Sequence, residues 1–454
     1  MVKKLLKSKI MPWVSLMVGL LLTVFIIIIL ILHTDFFAFV TGRTFSSYFF
    51  SGTRFSLRVD KIGGNPLKNL KIEGLKIRYN GDDFSFDVLR VDEIQIKYNI
   101  LSVIKKESHL DRLVIVNPHL WIKPDSTGTS ILPSTGGGLG GMAPEFTIDD
   151  LVVQGGQVIL QGDERADAIR NISMRGSLHS LGNEIYLAIV EGMGENLNRD
   201  IFLVGLNGDI RWITDSALKK GRFNDGGLLI LDELNVELSE SAMILNGTID
   251  PDSLAFYLKV EAEPLEIEEI TRVMNIETSH YGELQGKFIM KGVPDNVNIK
   301  GIFNGTFSGY AMDGFNVDIT WNKSRIKINN CRGKFNGAVV DGKGFYTFDR
   351  TGILDLDLDA REVNLAEGFI PGRDMPRTML NGRIKLTYHL QDEHLIFSLD
   401  LDEGHIRDFP FDQATLNGEY MNDTLYFDRI LMFHPSHTVS SHGQIIGDEE
   451  ITFF

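Results

Sequence analysis

Imidazole is a common ligand for transition metals, so any metal chemistry in this chain is sought first at its histidines. His389, His394, His405, His434, His437 and His442 fall close together near the C-terminus. No cysteine or ordered carboxylate joins them at a ligand spacing, and they read as polar turn residues. Asp355, Asp357 and Asp359 form a carboxylate row. On a strand they share one face at ~7 Å intervals, a spacing that a calcium ladder or an acid pair could use. Asp400 and Asp402 repeat it, and a solvated outer face is the expectation. Gly136, Gly138 and Gly141 spell G-x-G-x-x-G. A dinucleotide site needs a strand before that motif and a helix after it. Here it lies in a glycine run between Pro133 and Pro144. Cys331 is the single cysteine, which excludes an internal disulfide, a zinc finger and a cysteine framework. Asn171-Ile172-Ser173 and Asn246-Gly247-Thr248 match the sugar-acceptor pattern. No catalytic constellation emerges. The chain reads as a non-enzyme with no catalytic residue, no metal and no cofactor.

The elements that would position any site are strands. Leu75, Ile77 and Tyr79 alternate with Lys76 and Arg78, and Ile94, Ile96 and Tyr98 with Gln95 and Lys97. The same period of two runs through Phe256, Leu258 and Val260, through Leu354, Leu356 and Leu358, and through Phe397, Leu399 and Leu401. Strands with one apolar and one polar face are the signature of an antiparallel sheet. Asn-Gly pairs at 80–81, 246–247, 304–305, 336–337, 381–382 and 417–418 predict tight turns between them. Helical patterns are few. Pro264 to Met274 is the strongest, with Pro in its first turn and Ile267, Ile270 and Met274 on one face. Asn364 to Ile370 and Ile100 to Lys106 are weaker.

The 454 residues carry a formal charge of −16. So acidic a chain is a poor ligand for nucleic-acid phosphate. Lys3, Lys4, Lys7 and Lys9 are met by no acid in the first ten residues, leaving 41 basic against 61 acidic residues beyond them, a net of −20. Behind this tip (1–12), Trp13 to Leu32 is uncharged and apolar. Twenty residues at ~1.5 Å each span the hydrocarbon core. Trp13, Leu22, Phe25 and Leu32 belong to this anchor, and the lysines hold the tip in the cytoplasm. No small-residue cleavage site follows the run. Residues 33–50 form an aromatic exit segment, 51–124 a proximal β module, and 125–144 a Gly/Pro linker. Residues 145–454 form a longer module that stops in the middle of a strand pattern.

That longer module repeats with a period of roughly 97 residues. Gly247 corresponds to Gly344, Glu261-Ala262 to Asp359-Ala360, and Gly286 to Gly382, with Gly443 opening a third round. Such units stack on their neighbours into an elongated body. With so few helices, each apolar face is covered either by another sheet or by an apolar ligand.

The order of a basic tip, one anchor, the stretch from Phe55 (FSLRVDKIGGNPLKNLKIEGLKIRY) to Pro124, a glycine linker and FTIDDLVVQGGQVIL (146–160) resembles the TamB/AsmA-like family of bacterial envelope proteins. The repeated strand and short helix of Leu258 to Met274 fits the same pattern. The resemblance covers nearly the whole chain, through diffuse motifs. It implies a single-pass bacterial inner-membrane protein whose body is periplasmic. It implies a mostly β fold, in which an N-terminal transmembrane helix leads into an elongated, repeat-built antiparallel sheet curled into an apolar groove, with a few short helices. It implies transfer of phospholipid between inner and outer membranes. The alternative function it implies is assembly of outer-membrane β-barrel proteins with a partner of TamA type. Full-length TamB members are longer and end in a further domain, so the resemblance reads this chain as a fragment. The candidate lipid-lining residues are Phe256, Leu258, Val260, Leu354, Leu356, Leu358, Phe397, Leu399 and Leu401.

Overall fold

The computed structural model describes residues 54–65, 68–81, 85–99, 102, 108–122, 145–161, 166–181, 184–196, 200–213, 227–250, 253–274, 281–293, 295–322, 324–347, 352–364, 366, 377–422, 424–446 and 450–453. The tip, the anchor and the exit segment lie outside these residues, as do nearly all of the Gly/Pro linker, its G-x-G-x-x-G run included, and most of the two weaker helical candidates. Among the described residues no helix is long and apolar enough to cross a membrane.

The described chain is mostly strand, as the alternation predicts. It divides into two compact units, one of residues up to 258 with 269–278, the other of 259–268 with 279–454. The first unit contains β1 (Phe55–Arg58), β2 (Lys61–Asn65), β3 (Asn69–Asn80), β4 (Ser85–Lys97), β5 (His109–Ile122), β6 (Phe146–Gln161), β7 (Ala166–Leu181), β8 (Glu184–Asn196), β9 (Ile201–Ile213), β10 (Leu228–Leu238) and β11 (Ala242–Ile249). β12 (Phe256–Glu266) and α1 (Ile267–Met274) lie where the units divide. The second unit contains β13 (Glu283–Val293), β14 (Asn296–Phe307), β15 (Tyr310–Asn322), β16 (Arg325–Phe335), β17 (Ala338–Thr347), β18 (Ile353–Val363), β19 (Thr378–His389), β20 (His394–Ile406), β21 (Phe409–Phe411), β22 (Gln413–Met421), β23 (Thr424–His434), β24 (His437–Ile446) and β25 (Glu450–Phe453).

In the first unit β1 and β2 both pair with β3, and each strand from β3 to β10 then pairs with the next. β5 and β6, which flank the glycine-rich stretch, pair in parallel, the one departure from the antiparallel expectation in this ladder. The apolar face here is closed. Val91, Ile94, Leu113, Ile148 and Leu151 are 0% exposed, and they belong to one cluster fed by β1 and by every strand from β3 to β11.

In the second unit successive strands from β13 to β20 pair antiparallel. β20 then pairs with short β21 and with β22, and the ladder runs on to β25. Its fully buried cluster is small: Ala338, Ala360, Val363, Leu380, Leu401, Phe411 and Ala414.

Two expectations are corrected. The helix begins at Ile267 rather than Pro264, because Pro264 to Glu266 continue β12. Its first turn carries acids from Glu268 and Glu269, and Glu269, fully buried, accepts the Glu240 N–H through both carboxylate oxygens (3.3 and 3.2 Å). The second correction concerns the Asn-Gly pairs. Asn336-Gly337 is a two-residue turn between β16 and β17, with φ of 48° and 85°, and Asn80 closes β3. The other four lie inside strands.

Three of those four share one geometry. In β18, Glu362 takes a φ of 58°, and the register with β19 slips between Ala360 and Val363. This β-bulge turns the Glu362 N–H out of the ladder. It donates instead to Asn381 Oδ1 (2.9 Å). Gly382 then pairs with Ala360 at a φ of 149°, where an added Cβ would strike the Asp400 carbonyl. Glu233 on β10 does the same toward Asn246-Gly247 (2.9 Å), and Gly314 on β15 toward Asn304-Gly305 (2.7 Å). The amide of Asn supplies the acceptor that the interrupted ladder lacks, and Gly permits the backbone angle.

Candidate functional site

The second unit's apolar face is built from period-two strands whose register aligns their side chains into rows. Across β17, β18, β19, β20 and β22 one row reads Gly344, Leu356, Leu386, Phe397 and Gly418. The next reads Gly342, Leu358, Ile384, Leu399 and Leu416, and a third Val340, Ala360, Gly382, Leu401 and Ala414. A fourth holds Tyr346, Leu354, Tyr388, Leu395 and Tyr420. The third row is nearly closed: Ala360, Leu401 and Ala414 are 3%, 5% and 3% exposed. The side chains of the other rows, Leu354, Leu356, Leu358, Ile384, Leu386, Phe397, Leu399 and Leu416 among them, are only half-buried.

Six of the nine predicted lining residues therefore share one surface, Leu354, Leu356 and Leu358 on β18 and Phe397, Leu399 and Leu401 on β20. Phe256 and Leu258 are placed differently. They pack against the closed cluster of the first unit. Val260 is 5% exposed, a core residue by burial. Ile384, Leu386 and Leu416 belong with the six. Alternation along Arg383 to Thr387 puts Leu386 and Ile384 on one face of β19, and the register sets them opposite Leu356 and Leu358. The anchor residues Trp13, Leu22, Phe25 and Leu32 and the lysines of the tip lie outside the described residues.

The opposite face of the same strands is ionic. One outer row reads Lys343, Asp357, Lys385 and Ser398, and its neighbour Asp341, Asp359, Arg383 and Asp400. The carboxylate row is thus interleaved with cations from adjacent strands. Arg383 donates to both oxygens of Asp357, Nε to Oδ1 and Nη2 to Oδ2, each at 2.6 Å. The Arg383 hydrogen bonds hold the Asp357 carboxyl below its ordinary range. Thr387 Oγ1 donates to Asp355 (3.1 Å). Farther along, Asp318 on β15 is tied to Lys300 (2.5 Å), Asn298 (3.2 Å) and Asn329 (3.1 Å). Burial acts to raise its carboxyl's pKa, but these bonds outweigh it and leave the carboxyl below its ordinary range.

The histidines gather in pairs. His434 and His437 stack across the β23–β24 turn at 4.8 Å, both ring Nδ1 atoms reaching Ser436 Oγ (2.7 and 2.9 Å). His389 and His394 stack across the β19–β20 hairpin at 6.1 Å, with His394 Nε2 2.8 Å from Glu419. They form no group of three metal donors among the described residues. Cys331 faces the apolar side of β16 opposite Val317 and Gly342, and burial pushes its thiol up. The sequon residue Asn246 is engaged as the bulge acceptor, and Asn171 Nδ2 donates to Glu195.

This arrangement holds a half-covered apolar surface backed by a charge-paired one. It offers dispersion and hydrophobic contact to a flexible apolar ligand, and among the described residues no acid, base and nucleophile converge on that face. Compared with protein families, curated proteins and solved structures, the chain matches none.

Proposed function

We propose that this chain is an envelope protein that carries phospholipid between membranes, its acyl chains lying on the half-buried face of β17 to β22. The observation that carries the reading is the contrast in cover. Ile94, Leu113, Ile148 and Leu151 of the first unit's cluster have no exposed surface, whereas Leu354, Leu356, Leu358, Leu386 and Phe397 of the second keep part of their surface open. Burying one methylene is worth about 0.8 kcal/mol, so an acyl chain gains several kcal/mol on such a face without a shaped pocket. Residues 13–32 would anchor the protein in the inner membrane with the lysines of the tip in the cytoplasm, and lipid headgroups would stay at the wet margin.

A photo-crosslinking amino acid tests this in cells. Placed at Leu386, it should capture phospholipid, and placed at outward Lys385 it should not. The double change Leu356→Asp with Leu358→Asp should abolish capture from position 386 while β3 to β6 keep their amide protection. Equal capture from 385 and 386, or none from either, would sink the proposal. Capture of barrel-protein strands at 386 in place of lipid would favour the assembly reading.

A further inference from the structure

β5 and β6 carry a cluster that has no part in the apolar face. Their parallel register sets His109 opposite Thr147, Leu110 opposite Ile148, and Arg112 opposite Asp150. Asp111 and Asp149 therefore occupy matching positions on neighbouring strands. Leu110, Leu113, Ile148 and Leu151 are all buried. The two residues between them on each strand, Asp111-Arg112 and Asp149-Asp150, are turned outward together. Arg112 and Arg175 pair with Asp150 (3.3 and 2.9 Å). Asp149 instead meets His109 Nε2 at 2.8 Å. One donor atom from each of His109, Asp111 and Asp149 lies within 4.8 Å of the other two.

Like charges held opposite each other on adjacent strands repel, and a cation between them would relieve this. We propose that His109 Nε2 and the carboxylates of Asp111 and Asp149 bind a first-row divalent transition-metal ion that clips the start of β5 to the start of β6. The donor set chooses the class. An imidazole disfavours calcium and magnesium, and carboxylates without a thiol suit zinc, cobalt, nickel or manganese. Three protein ligands leave the remaining coordination positions to water. The His109 and Asp149 side chains are 40% and 54% exposed, so they can rotate inward to metal bonds of ~2.0–2.2 Å without moving buried groups. A structural benefit follows from topology. β5 and β6 are joined through residues 123–145, and closing so long a connection costs entropy that a bridge between the two strands offsets.

Cobalt(II) is the probe, added to the chelator-treated full chain and followed by visible absorption and calorimetry. One equivalent should bind in the wild type. His109→Ala and Asp149→Asn should each weaken that equivalent at least tenfold, and the nearly isosteric Asp111→Asn should do so in a chain with unchanged circular dichroism. His437→Ala, at the stacked hairpin pair, should leave it intact. Zinc should raise the midpoint of thermal unfolding in the wild type and not in Asp111→Asn. Failure of the wild type to bind cobalt, or binding by Asp111→Asn and His109→Ala as tight as the wild type's, would overturn the assignment.

Discussion

At the scale of single residues, the outer face of the second unit shows how a run of like charges is made tolerable. Asp355, Asp357 and Asp359 cannot neutralise one another; Thr387 donates to Asp355, Arg383 holds Asp357, and Asp359 lies opposite Arg383 in the register of β19. Arg383 has the strongest hold, through a bidentate pair with Asp357. Because the folded carboxyl is held below its unfolded value, its contribution is present above the ordinary carboxylate range. It fades as the pH falls through the lower, folded value. The pair is half-exposed, so the effect on global stability is small. Arg383→Gln should return the Asp357 titration toward the ordinary range, read by carbon-detected NMR of the side-chain carboxyl. An unmoved titration would mean that Lys343 and Lys385, not Arg383, set it.

At the scale of elements, the Asn-Gly pairs carry the lesson. The same dipeptide makes a hairpin turn at Asn336-Gly337 and a bulge clamp at Asn381-Gly382, and nothing within the pair distinguishes the two roles. What decides is the neighbouring strand, where Glu362 has left the ladder and its N–H needs an acceptor. Asn381→Ala should cost about 1–2 kcal/mol, since it removes two hydrogen bonds, one from the Glu362 N–H and one to the Glu403 carbonyl. Gly382→Ala should cost more, about 1–3 kcal/mol, since the new methyl must displace the Asp400 carbonyl and keep a positive φ. Denaturant melts of the two variants check the order, and a milder Gly382→Ala would refute the account of the clamp. The helix at Ile267 was legible as helix, because its acids and apolar residues follow a 3.6-residue period. Its start was not, because Pro264 suits a strand end as well as a first helical turn.

At the scale of the molecule, the two units use the same strand grammar toward different ends. Ile94, with no exposed surface, and Leu386, half-exposed, are both apolar residues alternating with polar ones. Ile94→Ala should cost about 2–5 kcal/mol by leaving a cavity. Leu386→Ala should cost about 1–2 kcal/mol, since water already reaches part of that side chain. Equilibrium unfolding of the two variants compares them, and equal losses would mean that the second unit's face is covered as completely as the first's.

The amino-acid sequence by itself determined that the described chain is mostly strand and, within an unbroken run such as Leu354 to Leu358, which residues share a face, because a period of two is a local property of each segment. It determined which charges flank each apolar row for the same reason. Only the tertiary structure decided which apolar faces are covered, since cover depends on packing partners far away in the chain. It also decided that β5 and β6 run parallel, that Arg383 reaches Asp357, and that His109 meets Asp149 with Asp111 close by. Register between strands is a long-range choice, and no short stretch of sequence records it.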